Sequence, residues 1–124
     1  MIDFQNGDII KLRQADTQDV GSLVGKILLP EEQVVGVYKT VRDRVIFTDR
    51  RVMTLDIQGA TGKKQELTTL PYRKIVSFSV ETSGVLDVDS ELELYFSGMG
   101  HVRFEFFGSS HIVEIAQVLA QYIL

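Results

Sequence analysis

The 124-residue chain contains no cysteine and only two histidines. The lack of cysteine excludes a disulfide framework, a thiolate metal site and a cysteine nucleophile, and it fits a reducing compartment. No apolar run approaches the roughly 18 residues of a membrane-spanning helix. The first residues do not show the basic segment followed by an apolar segment that is typical of a signal peptide. These absences predict a soluble, cytoplasmic protein, and the chain length predicts one domain.

Charge is distributed unevenly along the chain. The net charge is −4, which argues against nucleic acid as the main partner. Residues 1–38 sum to −3, residues 39–74 to +5 and residues 75–124 to −6. The middle and the end of the chain therefore differ strongly in sign.

Short strands dominate the apolar pattern. Arg44–Ile57 alternates in hydrophobicity on either side of Asp49-Arg50, which is typical of a β-hairpin. The predicted strands are Val34–Val41, Arg44–Thr48, Arg51–Ile57, Gln65–Leu70, Lys74–Thr82, Glu91–Phe96 and His101–Phe107. Residues 1–15 fit either an extended or a helical segment.

Two amphipathic segments flank the strands. One begins at Asp16 or Thr17, ends at Pro30, and places Val20, Leu23, Val24, Ile27 and Leu28 on one face. The other follows a cap at Ser109 or Ser110 and carries the apolar stripe Ile112, Ile115, Ala116, Leu119, Tyr122 and Ile123. We therefore expect a mainly β fold: a seven-stranded antiparallel, partly open barrel or sandwich capped by a C-terminal helix. Residues 1–30 would form an N-terminal helical extension and residues 31–124 the domain.

The order of elements resembles a pleckstrin-homology fold, and several local motifs resemble one bacterial family. These motifs are Phe47-Thr48-Asp49-Arg50-Arg51, Gln58-Gly59-x-x-Gly62-Lys63-Lys64, Pro71-Tyr72, Phe78-Ser79-Val80-Glu81-Thr82 and Asp87-x-Asp89-x-Glu91-Leu92. Together they resemble the bacterial pleckstrin-homology-like family, formerly catalogued as a domain of unknown function. The resemblance implies a non-enzymatic domain without cofactor that forms a cyclic homo-oligomer and engages other proteins through a polar surface. Larger-ring members carry an added C-terminal helical hairpin, which this sequence lacks, so the resemblance favours a ring of about five copies.

Charged residues supply the candidate interface. They are Arg42, Arg44, Arg50, Arg51, Lys63, Lys64, Glu81, Asp87, Asp89, Glu91 and Glu93. Because a cyclic contact joins two different patches, we predict that Arg42, Arg44, Arg50 or Arg51 of one subunit approaches Asp87, Asp89, Glu91 or Glu93 of its neighbour.

Other functions have weaker support in the sequence. Lys39, Arg42 and Arg44, with Lys63 and Lys64, could bind a polyanion or an anionic lipid headgroup, although Asp43 interrupts them. The spaced acids Asp87, Asp89, Glu91 and Glu93 lack the turn glycine of a calcium loop, so a metal site is not expected. No nucleophile elbow is present and neither histidine has metal-ligand spacing, so no catalytic residue is expected.

Overall fold

Eight strands and two α-helices form most of the residues described by the computed structural model, which are 9–82, 89–108 and 112–124. The strands are β1 (Ile9–Ala15), β2 (Val34–Lys39), β3 (Arg44–Thr48), β4 (Arg51–Gln58), β5 (Lys64–Pro71), β6 (Ile75–Thr82), β7 (Ser90–Phe96) and β8 (Gly100–Phe106). The helices are α1 (Ser22–Ile27) and α2 (Ile112–Ile123), and one 3-10 turn covers Tyr72–Lys74.

The strands lie in the order β5-β4-β3-β2-β1-β8-β7-β6. Strands β2 to β5 form one antiparallel meander, and β6 to β8 form a second. Strand β1 joins the two, because its first residues pair parallel with β8 and its last residues pair antiparallel with β2. The mainly β, pleckstrin-homology-like prediction is confirmed. The predicted strand count of seven is wrong by one, and the β1–β8 pairing is parallel, whereas we expected only antiparallel pairs.

Hydrophobic alternation explains the second meander. In β8, Val102, Phe104 and Phe106 are buried, while the residues between them are partly exposed. Leu92, Leu94 and Phe96 repeat the pattern in β7. Side chains two apart lie on the same face of a strand, so one face of this meander contributes to the main core and the other faces outward.

The β3–β4 hairpin is buried on both faces. Val45, Phe47 and Val52 belong to the main core. Ile46, Met53 and Leu55 point the opposite way, into a smaller core that includes Val24 of α1. Helix α1 therefore covers the outer face of the hairpin, which explains why consecutive residues of β3 and β4 are buried.

Helix α2 closes the main core, as its apolar stripe predicts. Ile112, Ile115 and Leu119 are buried. The helix approaches β2 closely at Gly36, where an added Cβ would lie 3.2 Å from Ile115 Cδ1 and 3.1 Å from Tyr38 Cε2. A larger residue at this position would require both side chains to shift by a few tenths of an ångström.

In the N-terminal region, residues 9–15 take the extended one of the two conformations that the sequence left open. The predicted helix between Asp16 and Pro30 is shorter than expected, because α1 has only six residues. The Asp16 carboxylate accepts a hydrogen bond from the N–H of Gln18 (2.8 Å) and so forms a local turn, not a helix cap. The domain boundary at residue 30 stays a prediction, and the predicted cap at Ser109 or Ser110 lies outside the described residues.

Replacing Leu119 by alanine should destabilise the protein by about 2–5 kcal/mol, because this fully buried side chain would leave a cavity beneath α2. The matched control is Val113→Ala on the same helix, where the side chain is 65% exposed. We expect the control to change the free energy of unfolding by less than about 0.5 kcal/mol. Urea denaturation checks both values, and equal effects would contradict the assigned orientation of α2.

Candidate functional site

A buried ion pair holds the turn between β3 and β4. Glu32 is only 7% exposed, and it receives two hydrogen bonds from Arg51: Nε to Oε2 at 2.8 Å and Nη2 to Oε1 at 2.9 Å. The Thr48 hydroxyl donates to Oε2 (2.7 Å), and the Leu29 N–H donates to Oε1 (3.1 Å). Burial alone would raise the pKa of Glu32, but these donors outweigh it and lower the pKa to about 2. The carboxylate is therefore ionised at neutral pH.

The same turn is bonded to two other segments. Asp49 and Gln33 exchange hydrogen bonds, each 3.0 Å long, from the N–H of one to an oxygen of the other. Tyr72 donates its N–H to the Arg50 carbonyl (3.1 Å) and its hydroxyl to the Thr48 carbonyl (2.5 Å). Burial, with the nearby charges of Asp49 and Glu32, raises the pKa of Tyr72, so the hydroxyl stays a donor. These bonds make the turn a rigid part of the frame.

An open cleft of about 330 Å³ lies beside this turn, and we call it the arginine cleft. It is lined by Leu29, Asp49, Arg50, Arg51, Thr69, Pro71, Arg73 and Tyr122. Strands β4 and β5, the 3-10 turn and the end of α2 all contribute to its walls. Of the residues predicted from sequence for the interface, Arg50 and Arg51 lie here.

A second cleft, of about 340 Å³, lies where β1 meets β2, and we call it the lysine cleft. It is lined by Lys11, Arg13, Lys39, Thr40, Val41 and Phe107. Arg13 and Lys39 are direct neighbours across the two strands, and the Arg13 guanidinium lies 5.6 Å from the centre of the Phe107 ring. Lys11 and Arg13 were not among the site residues predicted from the sequence. Their alternation around the buried Leu12 is the signal that could have identified them as outward-facing strand residues.

The three cations proposed for polyanion binding all have partners within the chain. Arg44 donates to the Asp19 carboxylate (2.9 Å) and carbonyl (3.0 Å), and Lys39 lies 3.3 Å from the same carboxylate. Hydrogen bonds from Arg44, which contributes most, and from Lys39 lower the pKa of Asp19. Arg42 donates to the Gly59 carbonyl (2.6 Å). Lys63 and Lys64 are exposed at the β4–β5 turn.

Acidic side chains form a row on the other meander. Glu81, Glu91 and Glu105 are direct cross-strand neighbours on β6, β7 and β8, and we call them the acidic row. They form no ion pair with any residue that the structure describes, although Lys11 is the cross-strand neighbour of Glu105. Within the described ranges, no group of three or more acidic, histidine or cysteine side chains is placed to hold a metal ion.

The remaining predicted acids have other partners. Glu93 accepts hydrogen bonds from the Tyr95 hydroxyl (2.6 Å), His101 Nδ1 (2.7 Å) and Arg103 (3.4 Å). The bond from Tyr95 contributes most to lowering the pKa of Glu93, ahead of its opposing desolvation and the bond from His101. Asp89 accepts the N–H of Gly108 (3.2 Å), and Asp87 lies outside the described residues.

Comparison with known proteins identifies the family. The sequence model of the family described as "Bacterial PH domain" matches residues 3–123. The chain belongs to this family. The crystal structure of a DUF1696 family protein with a pleckstrin-homology domain from Shewanella loihica PV-4 is similar, with a TM-score of 0.76 and 32% identity over 93% of this chain and 99% of that one. A pleckstrin-homology domain from Shewanella amazonensis SB2B is 37% identical, with a TM-score of 0.63, over 89% of this chain and 90% of that one.

Two sequence relatives of this bacterial PH domain come from one organism. The Bacillus subtilis (strain 168) protein YjqA, described as uncharacterized, is 43% identical over 94% of this chain and 95% of its own length. YozO from the same organism, also described as uncharacterized, is 28% identical over 78% of this chain and 83% of its own. Neither helix in the described residues is long and apolar enough to cross a bilayer.

Replacing Glu32 by glutamine should reduce stability at neutral pH by about 3 kcal/mol, the linkage expected when folding lowers a pKa from 4.5 to about 2. The wild-type protein keeps this contribution above pH 4.5 and loses it as the pH falls towards 2, because the unfolded chain then binds the proton more readily. The difference between wild type and Glu32→Gln should therefore shrink across that window in urea denaturation. Glu31→Gln, which removes a neighbouring exposed carboxylate, is the control, and an equal loss in both variants would contradict the assignment.

Proposed function

We propose that this bacterial PH domain is a non-catalytic interaction module that assembles head to tail into a closed ring of about five copies and binds other proteins on its surface. Membership of the bacterial PH domain family supports the module. The presence of two surfaces of opposite charge, the acidic row and the lysine cleft, supports the head-to-tail geometry.

The acidic row is the observation that carries this proposal. Glu81 and Glu91, and Glu91 and Glu105, are direct cross-strand pairs of like charge that repel one another in the isolated subunit. Lys11, the neighbour of Glu105 on β1, offsets part of this repulsion at β8. A cationic surface from a second copy would relieve that repulsion. A contact that joined the acidic row to itself would worsen it.

The lysine cleft is the best cationic counterpart for the acidic row. Arg44 and Arg51 already have carboxylate partners within the chain, which argues against their use in a contact between copies. Lys11 and Arg13 are exposed, and Lys39 is half exposed although it shares Asp19 with Arg44. In the proposed ring, the acidic row of each copy therefore lies against the lysine cleft of the next.

Light scattering after size exclusion tests the ring. We expect the wild-type protein to have the mass of a closed ring that loosens as salt is raised, because the contact is electrostatic. Glu91→Lys should reduce the assembled mass, and adding Arg13→Glu in the same chain should restore it by reversing both sides of the contact. Glu31→Lys, an equal charge change at an exposed site, is the control. A monomer or a two-fold dimer for the wild type would overturn the proposal.

The lysine cleft also favours a second function, the binding of a polyanion or an anionic lipid headgroup. Three cations line one concavity, and Val41 beside them is fully exposed at 101%. A cluster of cations next to an exposed apolar side chain is suited to an anionic surface.

Vesicle flotation separates this second function from the first. A headgroup-binding domain floats with vesicles that contain phosphatidylglycerol, does not float with phosphatidylcholine alone, and loses flotation when Lys11 and Arg13 are both changed to glutamate. Lys26→Glu, on the exposed side of α1, should float like the wild type. Failure of the wild type to float with either vesicle would exclude this second function.

A further inference from the structure

We infer that the arginine cleft binds an extended acidic segment of a partner protein that also carries an apolar side chain. This inference rests on the interaction role proposed above and names the chemistry of the partner. It concerns a different surface from the lysine cleft and the acidic row.

The charge of the arginine cleft selects an acidic ligand. Arg50 and Arg73 are exposed, and neither guanidinium forms an ion pair or hydrogen bond with a residue in the described ranges. Arg51 is the third cation, but Glu32 already binds it. Asp49 is the one acid among the lining residues, and its carboxylate already accepts the Gln33 N–H. The cleft therefore keeps an excess of positive charge, presented as guanidinium groups that suit carboxylates.

The apolar lining selects a ligand with an apolar side chain. Leu29 is 48% exposed and Tyr122 is 45% exposed, and both lie in the same concavity as Pro71. The centre of the Tyr122 ring lies 6.3 Å from the centre of the buried Tyr72 ring, and this aromatic contact helps to position Tyr122. Apolar side chains in a concave surface with a few polar groups around them are typical of a ligand site.

The rigidity of the walls favours binding. The Glu32–Arg51 pair fixes the β3–β4 turn, and the bond from the Tyr72 N–H to the Arg50 carbonyl fixes that turn relative to the end of β5. A ligand would therefore order little of the backbone around the cleft as it binds. A polypeptide can present carboxylates and an apolar side chain together inside a concavity. A membrane surface instead requires apolar groups that project outward, so the partner is better described as a protein segment.

Fluorescence anisotropy with a labelled synthetic peptide tests this inference. The probe is an extended peptide in which glutamates alternate with leucine and tyrosine, and the reference probe has glutamine at each glutamate. We expect saturable binding of the acidic probe only. Arg50→Glu and Arg73→Glu should each weaken it about tenfold, because each removes a charge-assisted hydrogen bond and adds a repulsion. Tyr122→Ser should weaken it several-fold, and Lys26→Glu is the matched control for net charge.

The outcomes separate this inference from the proposed ring. The inference is overturned if both probes bind equally, or if the Arg50 and Arg73 variants bind the acidic probe as well as the wild type does. It is also overturned if phosphatidylglycerol vesicles capture the protein through those two arginines. Light scattering on the same variants reports the ring independently. Peptide binding that is absent while the ring persists refutes only the arginine cleft, and peptide binding that persists in Glu91→Lys while the ring is lost supports it.

Discussion

The ion pair between buried Glu32 and Arg51 is the interaction on which the structure around the β3–β4 turn depends. An ionised acid removed from water is tolerated only when strong donors replace the solvent, and here Arg51, Thr48 and the Leu29 N–H supply them. Because Arg51 is the first residue of β4 and Glu32 follows α1, the pair also joins the segment after α1 to the hairpin that α1 covers. Within the Phe47–Arg51 motif, Thr48 and Arg51 are therefore structural, while Arg50 is left exposed towards the arginine cleft.

Charge is separated in space because it is separated along the chain. Strands β2 to β5 are consecutive in sequence and form one meander, and β6 to β8 form the other. The basic middle segment and the acidic last segment therefore lie in different meanders, and β1, which carries Lys11 and Arg13, lies between them. Like charges that lie close together on one surface repel one another and lower the stability of the subunit. This is most direct along the acidic row, where they face each other across strands. Surfaces of this kind gain from contact with something of opposite sign.

The buried faces of strands and helices that pack on one side only were predictable from the sequence. The pairing of β1 and the burial of Glu32 were not. The alternation in β7 and β8 and the stripe of α2 indicated their buried faces correctly, since each element packs on one side only. Strand β1 was ambiguous because one of its partners, β8, lies far away in the sequence, and because the apolar residues Ile9, Ile10 and Leu12 do not follow strict strand alternation. Glu32 follows Pro30 in a polar stretch that is typical of a surface loop. Its partner Arg51 lies on another element, so no local pattern could predict the pair.

The position of β1 has a consequence for how the chain reaches its native state. Residues 9–12 pair with residues 103–106, so the strand pairing that joins the two meanders into one sheet links nearly opposite ends of the polypeptide. Contacts of such long sequence separation form slowly, because a long loop must close before they can stabilise anything. During synthesis the first meander can form early, but the edge of β1 that receives β8 stays unpaired until the last strand has emerged. A nascent chain at that stage exposes backbone capable of pairing with other nascent chains, which makes the interval before β8 docks the point of greatest aggregation risk.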